Sequence, residues 1–255
     1  MHIRPPQPRD FSDMATLANK ALFHDPLTVW VAPHRHQHPE CMRQGYLRRA
    51  KRRFYGGKYM MVAVTDQHDP DWDGVERVVG YLSANSTRRQ TEQARQSWFS
   101  WNNWELAFLS LETQFVNLVG GDKALSYKNY YTFHRILATL NSTGPFAELD
   151  LHDCWDVDFL AVDPAYHRRG IGATLMEHIK TLATEERIPV TLVASSMGIH
   201  LYRKLGFTEV GEVKTDALLL GTAMVWYPEK SIEPDVKAPE GSAGISLDTL
   251  VPPNL

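Results

Sequence analysis

Short runs of β-branched and aromatic residues alternate along this chain with segments whose apolar residues recur every three or four positions. The first pattern is typical of buried strands and the second of amphipathic helices. The predicted strands lie at residues 58–65, 76–83, 157–162, 190–195 and 207–213, and prolines end a short edge strand at 2–6. This alternation predicts a mixed α/β (α+β) domain.

The predicted helices differ in the residues that their polar faces carry. The first helix begins at Asp10 or Ser12, since either is a suitable N-cap, and a helix over about 39–55 carries six basic residues. A basic run of this kind is typical of a solvated helix face. A helix that begins near Gly170 and a shorter one that ends at Gly206 complete the set.

Residues 88–150 differ from the rest because aromatic residues recur there at helical spacing, notably Trp98, Trp101, Trp104, Phe108 and Phe115. So many aromatic side chains cannot remain in water, so this segment packs on the body of the protein or on another chain. Residues 229–255 are rich in proline and polar residues and show no periodicity, which predicts a disordered or surface-wrapped tail. We therefore expect one domain over 1–228, with an insertion at about 88–150.

Composition is that of an ordinary soluble globular protein, with 43% hydrophobic and 22% charged residues in a chain of 255. The net charge of −3 gives no general attraction to nucleic acid or to an anionic membrane, so neither is expected as a partner. Two cysteines and the lack of a secretory leader favour a reduced, cytoplasmic location. His34, His36 and His38 alternate in one loop, but no cysteine or carboxylate cluster accompanies them, so no metal is expected.

A glycine-rich turn between a predicted strand and a predicted helix carries the clearest chemical information. Gly170 and Gly172 lie where the helix begins, so the backbone can approach a ligand closely and its unpaired N–H groups favour a phosphate. The turn lacks the third glycine of a dinucleotide-binding loop and the Gly-Lys pair of a P-loop. A different phosphate-bearing ligand is therefore expected.

Two sequence blocks resemble one known family. Residues 167–172 resemble the pyrophosphate loop of the GNAT (GCN5-related N-acetyltransferase) superfamily, except that His167 stands where Gln or Arg is usual. Residues 201–207, LYRKLGF, resemble the second signature of the same family about 30 residues later. The match covers residues 154–213, and the chain is similar to fungal-type small-molecule members of the superfamily.

The resemblance implies the GNAT fold, a central mixed and mostly antiparallel twisted sheet, splayed at strands 4 and 5 and flanked by helices. The helical, aromatic-rich insertion would then lie between strands 3 and 4. Acetyl-CoA is the implied co-substrate, and the strand backbone that would hold its acetyl group and pantetheine arm belongs to Leu160, Ala161 and Val162. The other implied coenzyme-binding positions are His167, Arg168, Arg169, Gly170, Ile171, Gly172, Ala173, Ser196 and Tyr202.

The same resemblance implies direct transfer of an acetyl group to an amine. Tyr202 is the implied general acid, because a phenol stays protonated at neutral pH and can donate to a leaving thiolate. Asp156 or Asp158 is the candidate base. The expected rim of the acceptor pocket consists of Phe23, His24 and Asp25.

Several alternatives remain open from the sequence. A small-molecule amine is the expected acceptor, with a peptide or protein amine as the alternative, and a non-catalytic coenzyme A-binding protein is a further possibility. The insertion either forms a satellite core or walls the acceptor pocket. The chain is expected to be a monomer or a homodimer.

Overall fold

Seven strands form one sheet in the computed structural model of this chain, which describes residues 1–70, 72–88, 101–140, 142–149, 151–215 and 218–228. The strands are β1 (His2–Arg4), β2 (Tyr59–Val64), β3 (Val78–Ser86), β4 (Trp155–Val162), β5 (Val190–Ala194), β6 (Thr208–Lys214) and β7 (Leu219–Trp226). Their order in the sheet is β1-β2-β3-β4-β5-β7-β6. All neighbours are antiparallel except β4 and β5, which are parallel.

Helices flank both faces of this sheet. They are α1 (Phe11–Leu22), α2 (Pro26–Val31), α3 (Pro39–Tyr55), α4 (Trp101–Leu118), α5 (Tyr127–Thr139), α6 (Ile171–Glu186) and α7 (Ile199–Lys204). One face is covered by α6, whose Leu175, Met176 and Ile179 are fully buried against β3, β4 and β5. Because side chains alternate along a strand, the neighbouring positions of the same strands face the opposite layer of helices.

The opposite face carries two separate hydrophobic clusters. One joins α1 and α3 to β2, β3 and β4, and it contains Met14, Met42 and Tyr81. The other joins α2 and α5 to β5, β6 and β7, and it contains Trp30 and Ile136. The junction of β4 and β5 therefore lies between two helical layers on this face.

The predicted fold class is confirmed, including the parallel pair of strands and the helical insertion between β3 and β4. Two elements, α2 and β7, are additional to the predicted ones. Asp10 precedes α1, but its side chain forms no cap hydrogen bond to that helix, because it accepts from Arg4 at 2.7 Å and from the Gln7 N–H at 2.6 Å. Trp98 and the predicted tail at 229–255 lie outside the described residues.

Candidate active site

The sheet opens between β4 and β5. Residues Trp155–Val157 of β4 pair with Val190–Leu192 of β5, whereas the pairing of β4 with β3 continues to Val162. Beyond Val157, therefore, β4 has a strand partner on one edge only. A parallel pair that separates in this way leaves backbone N–H and C=O groups pointing into the gap.

A bulge precedes this open edge. Ser83 of β3 pairs with Phe159 and the adjacent Ala84 pairs with Val157, so Asp158 is the extra residue of β4. After the bulge the Asp163 N–H donates to the Val79 carbonyl at 2.8 Å. Because N–H directions alternate along an antiparallel strand, the N–H groups of Leu160 and Val162 face the gap.

The same alternation distinguishes the three backbone positions predicted to hold the acetyl group. Ala161 lies opposite Tyr81 in the ladder and is 4% exposed, so its N–H is directed to β3. Leu160 and Val162 are thus the two predicted donors that the fold turns toward the gap.

The N-terminus of α6 lies beside this open edge. Its first intrahelical hydrogen bond is donated by Thr174 to the Gly170 carbonyl at 2.9 Å, so three earlier N–H groups, at Ile171, Gly172 and Ala173, have no acceptor within the helix. No side chain caps the helix start. Together with the helix dipole, these N–H groups form a site for an anion.

Two glycines keep this helix start accessible. Gly170 has a φ of 81°, and open space lies where its Cβ would be, so a ligand can approach the backbone there. A Cβ on Gly172 would lie 3.1 Å from Leu201 and close to Val162 and Leu160. The predicted phosphate turn and the predicted acetyl-binding strand are therefore neighbours.

The charged residues of the turn have different roles in the structure. His167 is exposed, and its Nε2 donates to the Val162 carbonyl at 3.0 Å, so the ring lies against β4. Arg169 lies over the ring of Tyr166 at 4.8 Å. Arg168 is exposed and has a φ of 61°. The turn is basic, as the sequence indicates, and both arginines remain in contact with solvent.

Tyr202 lies just beyond the end of β5. Its side chain is 8% exposed and packs against the ring of Phe207, with 5.8 Å between ring centroids. A Cβ on Gly198 would lie 3.2 Å from the Tyr202 ring and 3.5 Å from the Ser195 Oγ. Burial raises the pKa of Tyr202, so the phenol is protonated at every physiological pH. Ser196, in the same turn, is exposed.

Asp25 approaches the same end of β5 from α2. It is 3% exposed, and one carboxylate oxygen accepts from the Leu27 N–H at 3.0 Å. Burial raises the pKa of Asp25, while the Leu27 N–H and the Ser195 hydroxyl oppose that rise. The other two predicted rim residues, Phe23 and His24, form a ring pair at 5.2 Å. Of the predicted rim, Asp25 is therefore the residue that meets the turn after β5.

Asp156 and Asp158 occupy different electrostatic environments. Asp156 stays accessible to solvent, and its Oδ1 accepts a hydrogen bond from the Thr191 hydroxyl at 3.4 Å. Because protein surrounds most of the carboxyl group, desolvation raises its pKa to about 6, and the charge of Asp158 adds to the rise. Asp156 is therefore both accessible to solvent and more basic than an ordinary carboxylate.

Asp158 is held by two cations. Its Oδ2 accepts from Arg53 Nε at 3.0 Å and from Lys58 Nζ at 2.8 Å. Desolvation alone would raise the pKa of Asp158, but these positive charges hold it below the usual range. Arg53 and Lys58 were not predicted as site residues, and no sequence signal links them to a strand 100 residues away.

Within the described parts of the chain, no three His, Cys, Asp or Glu side chains are grouped so that they could hold a metal ion. No helix there is long and apolar enough to cross a membrane. The absence of a metal and the cytoplasmic location stay predictions.

Comparison with known proteins agrees with this geometry. The acetyltransferase (GNAT) domain family matches residues 135–209, a range that contains β4, α6, β5 and α7. This part of the chain is therefore similar to the acetyltransferase domain of the GNAT superfamily.

Three relatives illustrate the breadth of that superfamily. An uncharacterized N-acetyltransferase of Schizosaccharomyces pombe is 29% identical over 113 residues, which is 42% of this chain and 46% of that protein. A solved structure described as histone acetyltransferase HPA2 and related acetyltransferase, from Corynebacterium glutamicum, is 15% identical with a TM-score of 0.52, over 92% of this chain and 98% of the other. A polyamine N-acetyltransferase of Drosophila melanogaster that forms N-acetylagmatine is 17% identical with a TM-score of 0.51, over 89% and 99%.

These similarities give limited information about the substrate and mechanism of this chain. At 15% and 17% identity the structural likeness shows the fold alone. The match to the yeast protein spans less than half of that protein's length. Substrate and mechanism must therefore be argued from the residues of this chain.

Proposed function

We propose that this chain is an acetyl-CoA-dependent N-acetyltransferase that transfers the acetyl group directly to the amine of a small molecule. The observation that carries the proposal is the gap between β4 and β5, where the N–H groups of Leu160 and Val162 meet the start of α6. One continuous run of backbone donors thus extends from an acyl site to an anion site. That arrangement suits a thioester that also carries a pyrophosphate.

The anion site supplies the coenzyme-binding half of the proposal. The N–H groups of Ile171, Gly172 and Ala173 take the pyrophosphate, and the glycines let it approach the backbone. Arg168 and Arg169 are exposed at the same turn and add positive charge. The ring of His167 does not bind the coenzyme directly in this proposal, because it donates a hydrogen bond to the Val162 carbonyl. His167 instead holds the turn against β4.

Acetyl transfer to an amine also requires a group that removes a proton. We assign this role to Asp156 because its pKa of about 6 leaves it ionised at neutral pH yet more basic than an ordinary carboxylate. Asp158 is less suited to this role, because Arg53 and Lys58 lower its pKa. It contributes instead by raising the pKa of Asp156.

Two further groups complete the proposed chemistry. The N–H groups of Leu160 and Val162 stabilise the negative charge that develops on the thioester oxygen as the C–N bond forms. When the C–S bond breaks, Tyr202 donates its phenolic proton to the departing thiolate. The Tyr202 hydroxyl suits this step because a phenol is protonated at neutral pH and can donate to a thiolate.

The acceptor is proposed to be a small amine. On the face that carries Asp156, α2 and α5 share a hydrophobic cluster that contains Leu27, Trp30 and Phe133. We infer that α5, which belongs to the insertion, forms both a satellite core and one wall of the acceptor site, and such a wall restricts the space for an extended peptide. The Drosophila melanogaster polyamine N-acetyltransferase forms N-acetylagmatine, so that protein acts on a small amine. A peptide or protein amine is the second candidate acceptor, because the bacterial relative is described as a histone acetyltransferase.

A direct assay tests the proposal. Purified protein is mixed with acetyl-CoA and a panel of polyamines, arylalkylamines, aminoglycosides and histone-tail peptides, and release of free thiol is followed. Amine-dependent thiol release with a small amine supports the proposal, whereas release with peptides alone supports the second candidate. Coenzyme A binding, measured by calorimetry, without thiol release for any amine would instead indicate a non-catalytic coenzyme-binding protein.

A further inference from the structure

Helix α4 carries an apolar stripe that faces away from the other described residues of the chain. The stripe consists of six residues, and each is between 61% and 84% exposed: Trp101, Trp104, Phe108, Leu111, Phe115 and Leu118. Monomeric proteins rarely leave a continuous apolar patch of this size in water. The stripe is therefore a surface that needs a partner.

The helix itself is anchored from its other side. Leu109 is 4% exposed, and the Thr113 hydroxyl accepts from Arg52 of α3 at 3.2 Å. Glu112 of α4 lies 3.9 Å from Arg48, which also belongs to α3. Packing on α3 thus fixes the rotation of α4, so the stripe cannot turn inward.

The spacing of the stripe indicates what kind of element covers it. Its six positions are separated by three and four residues in strict alternation, which is the seven-residue repeat of a helix–helix seam. A helix that packs on its own sheet usually presents a wider face with a period of 3.6 residues. The expected partner is another helix with the same repeat.

Charge favours an identical helix. Glu105 and Glu112 are the charged residues of α4, and neither lies in the stripe. Two copies of the stripe therefore meet with no charged side chain inside the stripe itself. Because α4 carries no lysine or arginine, the face also lacks the basic border typical of helices that lie on anionic membranes.

The available area is sufficient for a stable contact. A large aromatic side chain buries roughly 150–250 Å² when it is covered completely. At the observed exposures, the six side chains have an accessible surface on the order of 700–900 Å² in each chain. This area is close to the ~800 Å² that each partner buries in a standard stable interface. We propose that the α4 stripe is a homodimer interface, in which α4 of one copy packs against α4 of a second copy.

This proposal is independent of the proposed enzymatic function, and its test needs no substrate. Sedimentation equilibrium of the full chain over the micromolar range should give a dimer. The double variant Phe108→Glu/Phe115→Glu buries four charges in the paired seam, so it should raise the dimer dissociation constant at least ~100-fold. Both residues are exposed in the single chain, so the monomer fold is expected to persist, as circular dichroism would show.

A matched control places the same charges on the same helix outside the stripe. Ser110 and Asn117 are exposed, and the variant Ser110→Glu/Asn117→Glu is expected to remain dimeric. A wild type that is monomeric at every concentration overturns the proposal. If this monomer also floats with neutral phosphatidylcholine vesicles, the stripe binds lipid instead of a second copy. A dimer that survives the Phe108/Phe115 variant overturns it as well, because the contact then lies elsewhere.

Discussion

Lys58 donates a hydrogen bond of 2.8 Å to the carboxylate of Asp158, across 100 positions of sequence. This contact, with the parallel one from Arg53, keeps Asp158 ionised in the bulge of β4. The fixed negative charge in turn raises the pKa of Asp156, two residues earlier on the same strand. Two carboxylates that look equivalent in the sequence thus differ in pKa, and for this reason we propose Asp156 rather than Asp158 as the base.

Replacement of Asp156 by Asn should lower kcat/KM for the amine by ~10²–10⁴-fold, because the variant cannot accept a proton. In the wild type, kcat/KM should rise with pH through an apparent pKa of about 6, since the protonated carboxyl group is inactive below that value. The variant should lack this inflection. Initial rates measured from pH 5 to pH 9 would show both effects.

Asp153→Asn is the matched control for this experiment. Asp153 lies just before β4 and is paired with exposed Arg88 at 2.7 Å, away from the proposed chemistry. Its substitution should leave the pH profile unchanged. An Asp156→Asn variant that retains the inflection near pH 6 would remove Asp156 as the base.

Replacement of Asp158 by Asn should destabilise the fold by about 1–3 kcal/mol at pH 7, because Arg53 and Lys58 then become partly buried, unpaired cations. The pKa of Asp158 is lower in the folded protein than in the unfolded chain, so its contribution is complete at neutral pH. That contribution is lost as pH falls through the folded pKa. The difference between wild type and variant in urea unfolding should therefore shrink at pH 3.

The exposed pair of Asp73 and Arg77 provides the comparison, since its atoms also approach closely, at 2.6 Å. Asp73→Asn should hardly change the free energy of unfolding, because water screens the pair. If Asp158→Asn and Asp73→Asn lower the free energy of unfolding equally, the Asp158 contacts contribute no more than a surface pair.

Replacement of Tyr202 by Phe removes the proposed proton donor but keeps the ring that packs on Phe207. We expect kcat to fall ~10²-fold while the dissociation constant of acetyl-CoA stays unchanged, because only the leaving thiolate loses its donor. Calorimetry and thiol release would separate these quantities. Tyr131→Phe, at an exposed position of α5, should retain full activity, and a fully active Tyr202→Phe would exclude the acid role.

Replacement of Gly172 by Val should raise the dissociation constant of coenzyme A at least ~10-fold, equivalent to about 1.4 kcal/mol. The branched side chain would crowd Leu201 and Val162 where the helix start meets the open strand edge. Gly172→Ala is the matched control, because one methyl group requires only a small shift of the flexible Leu201 end. Equal binding by the Val and Ala variants would place the coenzyme elsewhere.

The local elements of this protein could be predicted from the sequence because they depend on neighbours along the chain. Apolar spacing determined β4, α6, β5 and α7, and the glycines at the start of α6 already indicated a phosphate site. The succession of these elements within residues 154–213 indicated the superfamily. Such features rest on periodicity and on backbone freedom, which single residues and short spacings determine.

Only the tertiary structure decided which chemical state each group adopts. Register with β3 turned Leu160 and Val162, rather than Ala161, toward the gap. Arg53 of α3 and Lys58, which precedes β2, hold the pKa of Asp158 down, whereas desolvation raises the pKa of Asp156. Packing of α4 on α3 selected the face of the insertion that stays in solvent. Burial, hydrogen-bond direction and charge depend on residues distant in sequence, so only the folded chain determines them.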